Sequence, residues 1–98
     1  MNQEKYFKNL VFLNLQNNCI KSLEFKCFQG LDNISKLDLS KNQIQIIHSS
    51  SFENLINLEN LYLSYNKLQN IDNLAFRKFM NLKELDLSFN KIKAINPN

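Results

Sequence analysis

Few residues of this chain carry the side-chain chemistry of a catalytic or metal site. His48 is its single histidine, so a nucleophile activated by an imidazole base would have to use that residue. It stands in a serine-rich stretch, where a solvated loop residue is the default expectation. The sequence contains no nucleophile elbow, no phosphate-binding glycine loop and no His-Glu-x-x-His motif. We therefore predict that the chain is not an enzyme.

Cys19 and Cys27 are the two cysteines. A disulfide between them needs a closer approach than the intervening loop is expected to allow. We predict two free thiols, at least one of them partly buried, and keep the disulfide as the alternative. Together with His48 the cysteines lack the ligand spacing of a zinc site. We expect no metal and no cofactor.

The elements that position these residues form a repeat. The stretch 58–79 reads LENLYLSYNKLQNIDNLAFRKF, and its apolar and asparagine positions recur at steps of 24 residues in both directions. A fixed period of this length is typical of a solenoid, in which each unit buries its apolar face only against its neighbours. We predict one domain, 1–98, with a partial or degraded repeat at 1–9, complete repeats at 10–33, 34–57 and 58–81, and a truncated repeat at 82–98.

Each repeat begins with apolar residues at alternate positions, such as Leu61 and Leu63. This alternation predicts a strand, because successive side chains of a strand point to opposite faces. Stacked repeats then place their strands side by side in a parallel sheet. The predicted fold is an α/β solenoid with the parallel sheet on its concave face and loops or 3₁₀ turns on its convex face.

Two columns of the repeat are expected to be structural. The asparagine after each strand carries donors and an acceptor, so it can satisfy buried backbone groups where the chain turns away from the sheet. This predicted ladder consists of Asn18, Asn42, Asn66 and Asn90. Aromatic rings one repeat apart are expected to fill the wide outer half of the coil. That column consists of Phe28, Phe52 and Phe76.

The outward strand positions define a grid of four columns. The columns are Phe12, Lys36, Asn60 and Glu84; Asn14, Asp38, Tyr62 and Asp86; Gln16, Ser40, Ser64 and Ser88; and Asn17, Lys41, Tyr65 and Phe89. Asp38 and Asp86 fall two strands apart, roughly 10 Å, with Tyr62 between them. This geometry is poor for a catalytic pair of carboxylates.

Tyr62, Tyr65 and Phe89 are predicted to form an aromatic patch on the concave face, which is the usual binding surface of repeat proteins. Charged residues are expected to surround the patch as an orienting rim. They are Lys36, Asp38, Lys41, Glu84 and Asp86. The alternative is that Tyr65 and Phe89, one repeat apart, only stack on each other. A further group just past the strands, Lys67, Lys91 and Lys93, is expected to be a solvated face.

The net charge is +3, and lysines alternate along the chain with acidic residues. No basic cluster is interleaved with aromatics, so no nucleic-acid partner is expected. Residues 1–9 lack the apolar core of a signal peptide, and no window has the apolar length of a membrane span, so we expect no membrane contact by this segment. Asn33 lies in the one N-glycosylation sequon, and both a chance occurrence and a glycan stay open.

The pattern LxxLxLxxNxIxxIxxxxFxxL, carried by the strings LDLSKNQI, LYLSYNKL and LDLSFNKI, resembles the typical, 24-residue class of leucine-rich repeat. It looks most like repeats of Toll-like receptor ectodomains, and similar repeats occur in lamprey variable lymphocyte receptors, Slit proteins and small leucine-rich proteoglycans. The resemblance implies a curved solenoid with a non-catalytic recognition role, often in innate immunity, adhesion or matrix assembly, and usually outside the cell. Ligand contacts vary among these families, so the resemblance assigns no binding residue.

Several functions remain open. The chain is either a ligand-recognition segment of an extracellular, receptor-like protein, with a protein or other macromolecule on the concave face, or a set of spacer repeats in a longer solenoid. A cytoplasmic scaffold is a weaker option, which free cysteines favour. Neither end of the repeat array shows a polar cap, so further repeats are expected to pack against both ends. The alternative is a complete small protein whose ends self-associate.

Overall fold

The computed structural model describes residues 9–24 and 26–96, so the partial repeat predicted at 1–9 falls outside the described residues except for Asn9. The chain forms a coil built from short strands. These are β1 (Phe12–Asn14), β2 (Ser22–Leu23), β3 (Lys36–Asp38), β4 (Ile46–Ile47), β5 (Asn60–Tyr62), β6 (Asn70–Asp72), β7 (Glu84–Asp86) and β8 (Ala94–Asn96), with a 3₁₀ helix at Asn73–Phe76.

The odd-numbered strands form one sheet in the order β1-β3-β5-β7, and all of its pairings are parallel. Each residue pairs with the residue one repeat away, as Leu37 pairs with Leu61. The leucines that point inward meet in the interior, and Leu37, Leu39, Leu61 and Leu63 are all fully buried. The parallel sheet predicted from the alternating leucines is therefore confirmed.

The return path of the coil contains more pairing than the sequence predicts. β2 pairs with β4, and β6 pairs with β8, as two small parallel sheets. Leu23, Ile47 and Ile71 anchor these strands because each is buried in the core. An apolar anchor at the same position of each repeat brings extended backbone alongside its copy, and pairing then satisfies its N–H and C=O groups.

Among the residues that the structure describes, no helical segment has the length and apolar composition of a membrane span.

The phenylalanine column fills the outer half of the coil. The ring centroids of Phe28 and Phe52 lie 6.1 Å apart with an interplanar angle of 9°. Phe76 continues the stack at 6.2 Å from Phe52, and Phe79 packs against Phe52 at 5.5 Å with a tilted ring. Offset stacking at these distances adds about 0.5–1.5 kcal/mol per pair beyond the burial of apolar area.

The asparagine column lies inside the turn that follows each strand of the main sheet. The Nδ2 group of Asn66 donates to the carbonyls of Leu39, Leu63 and Ser64 at 3.0–3.3 Å. Its Oδ1 accepts from the backbone N–H of Ile44 at 3.0 Å. One amide therefore joins two consecutive turns of the coil and satisfies backbone groups on both.

Candidate functional site

The column of Asn17, Lys41, Tyr65 and Phe89 does not lie on the strands, contrary to the prediction. Each of its members comes three residues after a strand of the main sheet ends. All are left-handed, with φ between 56° and 62°. The physical reason is the turn, which begins at these residues: the N–H groups of Lys41 and Tyr65 still donate to carbonyls of the next repeat, but the inward asparagine follows at once. All of these side chains are exposed.

A left-handed backbone suits the members of this column unequally. It costs roughly 1–2 kcal/mol for a residue with a Cβ atom, and asparagine is among the few residue types that adopt it routinely. Asn17 is therefore well suited to its position. Tyr65 and Phe89 are bulky residues for which this conformation is an outlier. The repeat places two large rings where the backbone least favours them.

The rings of Tyr65 and Phe89 stack face to face on the surface. Their centroids are 4.3 Å apart and their planes differ by 5°. The two residues nevertheless remain 49% and 68% exposed. A stacked pair contributes about 0.5–1.5 kcal/mol, which is less than the roughly 2–4 kcal/mol that two left-handed bulky residues cost together. Stability alone therefore does not account for aromatic residues at these positions.

Tyr62 was expected to join this pair, and it does not. Within the described residues, Tyr65 stacks only with Phe89. The hydroxyl of Tyr62 donates a hydrogen bond to Oε1 of Glu84, and this bond raises the pKa of Tyr62 above its usual value. The Nζ atom of Lys36 lies 5.5 Å from the Tyr62 ring centroid and 4.9 Å from that of Phe12. The predicted patch is thus two separate clusters, one polar and one aromatic.

Asp38 and Asp86 shape the turns at the ends of their strands. Oδ1 of Asp38 accepts from the N–H of Ser40 at 3.0 Å and from its hydroxyl at 2.6 Å. Asp86 repeats these bonds with Ser88, which lower the pKa of the Asp86 carboxyl. In the serine column, which was predicted to point outward, Ser40 and Ser64 are only 7% and 9% exposed.

Both cysteines are free, as predicted, and both residues are classed as exposed, whereas at least one was expected to be partly buried. The thiol of Cys27 lies 3.9 Å from the carbonyl oxygen of Ser51, and partial burial raises the pKa of this thiol. A raised pKa lowers the fraction of thiolate, which is the nucleophilic form. The surroundings of Cys27 thus disfavour the nucleophilic form of its thiol.

His48 lies beyond β4 and is exposed. It lines an open cleft of about 480 Å³ with Glu24 and Asp72, which occupy the same position in the neighbouring repeats. Both carboxylates already have local partners, since Glu24 accepts from the Ser22 hydroxyl and Asp72 accepts from the first turn of the 3₁₀ helix. Within residues 9–24 and 26–96, no three His, Cys, Asp or Glu side chains, including those of this cleft, are arranged so that they could hold a metal ion.

A second asparagine column was missed by the sequence analysis. Asn57 donates from Nδ2 to the carbonyl of Asp32 at 3.0 Å, and Asn81 donates to that of Ile56 at 3.4 Å. Asn33, the sequon residue, occupies the same position one repeat earlier and is exposed. The signal was available in the sequence, because these asparagines are spaced like the inward ladder. Glycosylation of Asn33 stays a prediction.

Comparisons with known proteins identify relatives of this coil. The model of the leucine-rich repeat family matches residues 8–68 and 56–98. Among solved structures, the chain is similar to Toll in the Toll–Spätzle complex of Drosophila, with 32% identity over 80% of this chain and a TM-score of 0.76. It is also similar to the leucine-rich repeat domain of APL1B, with 25% identity over 94% and a TM-score of 0.87.

An internalin from Listeria monocytogenes is a further structural neighbour, with 25% identity over 97% of this chain and a TM-score of 0.74. The chain spans only 10%, 28% and 30% of Toll, APL1B and the internalin, respectively. A search of curated proteins finds no match. The similarity is thus to the repeat coil, and it covers a small part of each of these proteins.

Proposed function

This chain belongs to the leucine-rich repeat family, and we propose on that basis that it is a non-catalytic module that binds a protein ligand through the concave face of its sheet. Domains of this family are generally interaction modules, and the structure of Toll that it resembles is a complex with another protein, Spätzle. We place the module in an extracellular or cell-surface protein, in line with its resemblance to Toll-like receptor repeats. No step of a reaction is assigned to it.

The observation that carries this proposal is the pair Tyr65 and Phe89. The two rings are exposed, stacked on each other and fixed by a turn whose backbone they do not favour. Rings held rigidly at the surface lose little side-chain entropy on binding and bury a large area, which is why aromatic residues dominate interface hot spots. Strained residues also tend to occur at functional sites. Both arguments support Tyr65 and Phe89 as the centre of the proposed interface.

Spacer repeats are the competing function. In a spacer, Tyr65 and Phe89 would serve only to stack on each other, and nothing would bind to them. The comparison of energies argues against this, because stacking offsets only part of the cost of two left-handed bulky residues. A spacer would also gain stability if these residues were replaced by asparagine, the type found at Asn17.

The test is to select peptide ligands from a displayed random library against the folded chain and to measure their affinity for variants. Random libraries favour surfaces where a few side chains yield much binding energy, which is the property of a hot spot. We expect the selected peptides to lose about thirtyfold or more in affinity for the Tyr65→Ala/Phe89→Ala variant.

The matched control is Met80→Ala. Met80 is apolar and 81% exposed but lies outside the main sheet, so its removal should leave the affinities unchanged. Thermal melts of both variants establish that the fold is intact. If the selected peptides bind the Tyr65→Ala/Phe89→Ala variant as well as the original chain, the concave face is not the binding surface and the spacer function gains.

A further inference from the structure

The fold sorts charges that are mixed along the chain. The segments that follow the four strands of the main sheet are residues 15–21, 39–45, 63–69 and 87–93. They contain five of the twelve basic residues and none of the nine acidic residues. The rest of the chain therefore carries seven basic and nine acidic residues, a slight negative excess. We call these segments the lysine edge, and its cations are Lys21, Lys41, Lys67, Lys91 and Lys93.

The cations of the lysine edge are exposed and make no ion pair with any described residue. Elsewhere on the coil the lysines have partners, since Lys78 pairs with Glu53 at 2.8 Å and Lys83 with Glu59 at 3.2 Å. Lys67 and Lys91 occupy the same position in adjacent repeats. Parallel strands are about 4.8 Å apart, so the backbones that carry these two cations lie within one Debye length of each other, roughly 8 Å at physiological salt. Their fields add, and the edge repels cations and attracts anions.

The aromatic pair separates this edge from a region of opposite charge. Tyr65 and Phe89 lie two residues before Lys67 and Lys91, respectively. On the other side of the pair, the strands carry the carboxylates of Asp38, Glu84 and Asp86 against the single ammonium group of Lys36. Along the path of the chain, the surface therefore changes from net negative on the strands, through the aromatic pair, to positive on the lysine edge.

We infer that the ligand is a protein segment that places an apolar side chain on the rings of Tyr65 and Phe89 and one or more Asp or Glu side chains over the lysine edge. This inference rests on the proposed function and specifies the chemistry of its partner. Such a segment matches both the aromatic centre and the adjacent positive charge. Its remaining residues are neutral or basic where they pass over Asp38, Glu84 and Asp86, since like charges there would repel.

A uniform polyanion, such as a nucleic acid or a sulfated glycan, fits this face less well. A polyanion that crossed the sheet would meet the carboxylates on the strands. A polyanion lying along the lysine edge alone would not need the aromatic pair, which gives an experimental distinction.

The test uses the peptides selected against the folded chain. We expect their sequences to be enriched in Asp or Glu next to an apolar residue. We also expect the Lys67→Gln/Lys91→Gln variant to weaken their binding about fivefold, as the loss of two exposed ion pairs implies. Added salt should weaken binding to the original chain more than to this variant. Lys83→Gln is the matched control, because Lys83 is exposed but lies outside the edge, and it should leave the affinities unchanged.

Two results would overturn the inference while leaving the proposed function intact. One is a set of peptides that need Tyr65 and Phe89 but show no acidic enrichment and no response to Lys67→Gln/Lys91→Gln. The other is that heparin or a single-stranded oligonucleotide binds more tightly than acidic peptides. If that binding weakened in Lys67→Gln/Lys91→Gln but not in Tyr65→Ala/Phe89→Ala, the lysine edge would be a polyanion site. Peptides whose affinity is unchanged in Tyr65→Ala/Phe89→Ala would instead contradict the proposed function.

Discussion

Two adjacent columns of the repeat, one buried and one exposed, are filled in opposite ways. The inward column is asparagine in every copy, namely Asn18, Asn42, Asn66 and Asn90. The column one residue before it contains four different residues, namely Asn17, Lys41, Tyr65 and Phe89, all in the same left-handed conformation. Backbone geometry is the more demanding at the outward column, since none of the inward asparagines has a positive φ, so geometry does not explain why the outward column is the one that varies.

The difference comes from what the side chain must satisfy. In the inward column, the amide has to donate to and accept from backbone groups of two turns at once, and few side chains do both. In the outward column, the side chain faces water, and only the backbone is constrained. Residues there can vary at a cost of roughly 1–2 kcal/mol, so this column is free to serve binding.

The largest expected effect breaks the inward column at its most buried member. Asn66→Ala leaves the N–H of Ile44 without its side-chain partner and removes one of two side-chain donors from the carbonyls of Leu39 and Leu63, which keep those of Asn42 and Asn90, respectively. The free energy of unfolding should therefore fall by roughly 1–3 kcal/mol. Asn18→Ala is the matched control, because Asn18 is exposed and water can replace its bonds. Urea denaturation measures both. Equal losses in the two variants would mean that burial does not determine how much each asparagine of the column stabilises the fold.

The next effect concerns the outward column and has the opposite sign. Lys41→Asn places the best-suited residue type at φ 57° and should raise the free energy of unfolding by about 1 kcal/mol. The reverse change, Asn17→Lys, should lower it by a similar amount. Lys67→Asn is the control, since Lys67 is an exposed lysine without a positive φ. If Lys67→Asn raised the free energy of unfolding as much as Lys41→Asn, the gain at Lys41 would not come from relief of backbone strain.

The smallest expected effect on stability concerns Ser88, which belongs to the serine column that lies between the strands and the left-handed turns. Hydrogen bonds from Ser88 hold the pKa of Asp86 below its usual value. A carboxyl whose pKa is lowered by folding adds stability above its unfolded pKa, about 3.9, and this contribution is lost as the pH falls through the folded pKa.

Ser88→Ala should therefore reduce stability at neutral pH by well under about 1 kcal/mol, because Asp86 is screened by solvent, and the deficit should shrink as the pH falls below about 4. Urea denaturation at several pH values, together with an NMR titration of the Asp86 carboxyl, measures this. Ser64→Ala serves as the comparison, since Tyr62 stands where two of the other repeats have the carboxylates Asp38 and Asp86. A pH-independent loss in both variants would show that the hydroxyl bond to Asp86 is not linked to protonation.

The sequence alone determined the repeat, its period and the strands of the main sheet. Leu37, Leu61 and their copies alternate with polar residues, and a period-two pattern that recurs every 24 residues has few other solutions than stacked parallel strands. The inward asparagines and the phenylalanine column could be assigned to the interior for the same reason. Each of these positions has the same structural role in every repeat.

The candidate binding face depended on tertiary structure. Sequence spacing predicted one patch of Tyr62, Tyr65 and Phe89, but it did not reveal that Tyr65 and Phe89 adopt a left-handed backbone in the turn that follows each strand. Nor did it show that Tyr62 has its own partners in Lys36 and Glu84. The lysines alternate with acidic residues along the chain, and only the coil brings Lys67 and Lys91 to one edge, because neighbours on its surface are one repeat apart in sequence.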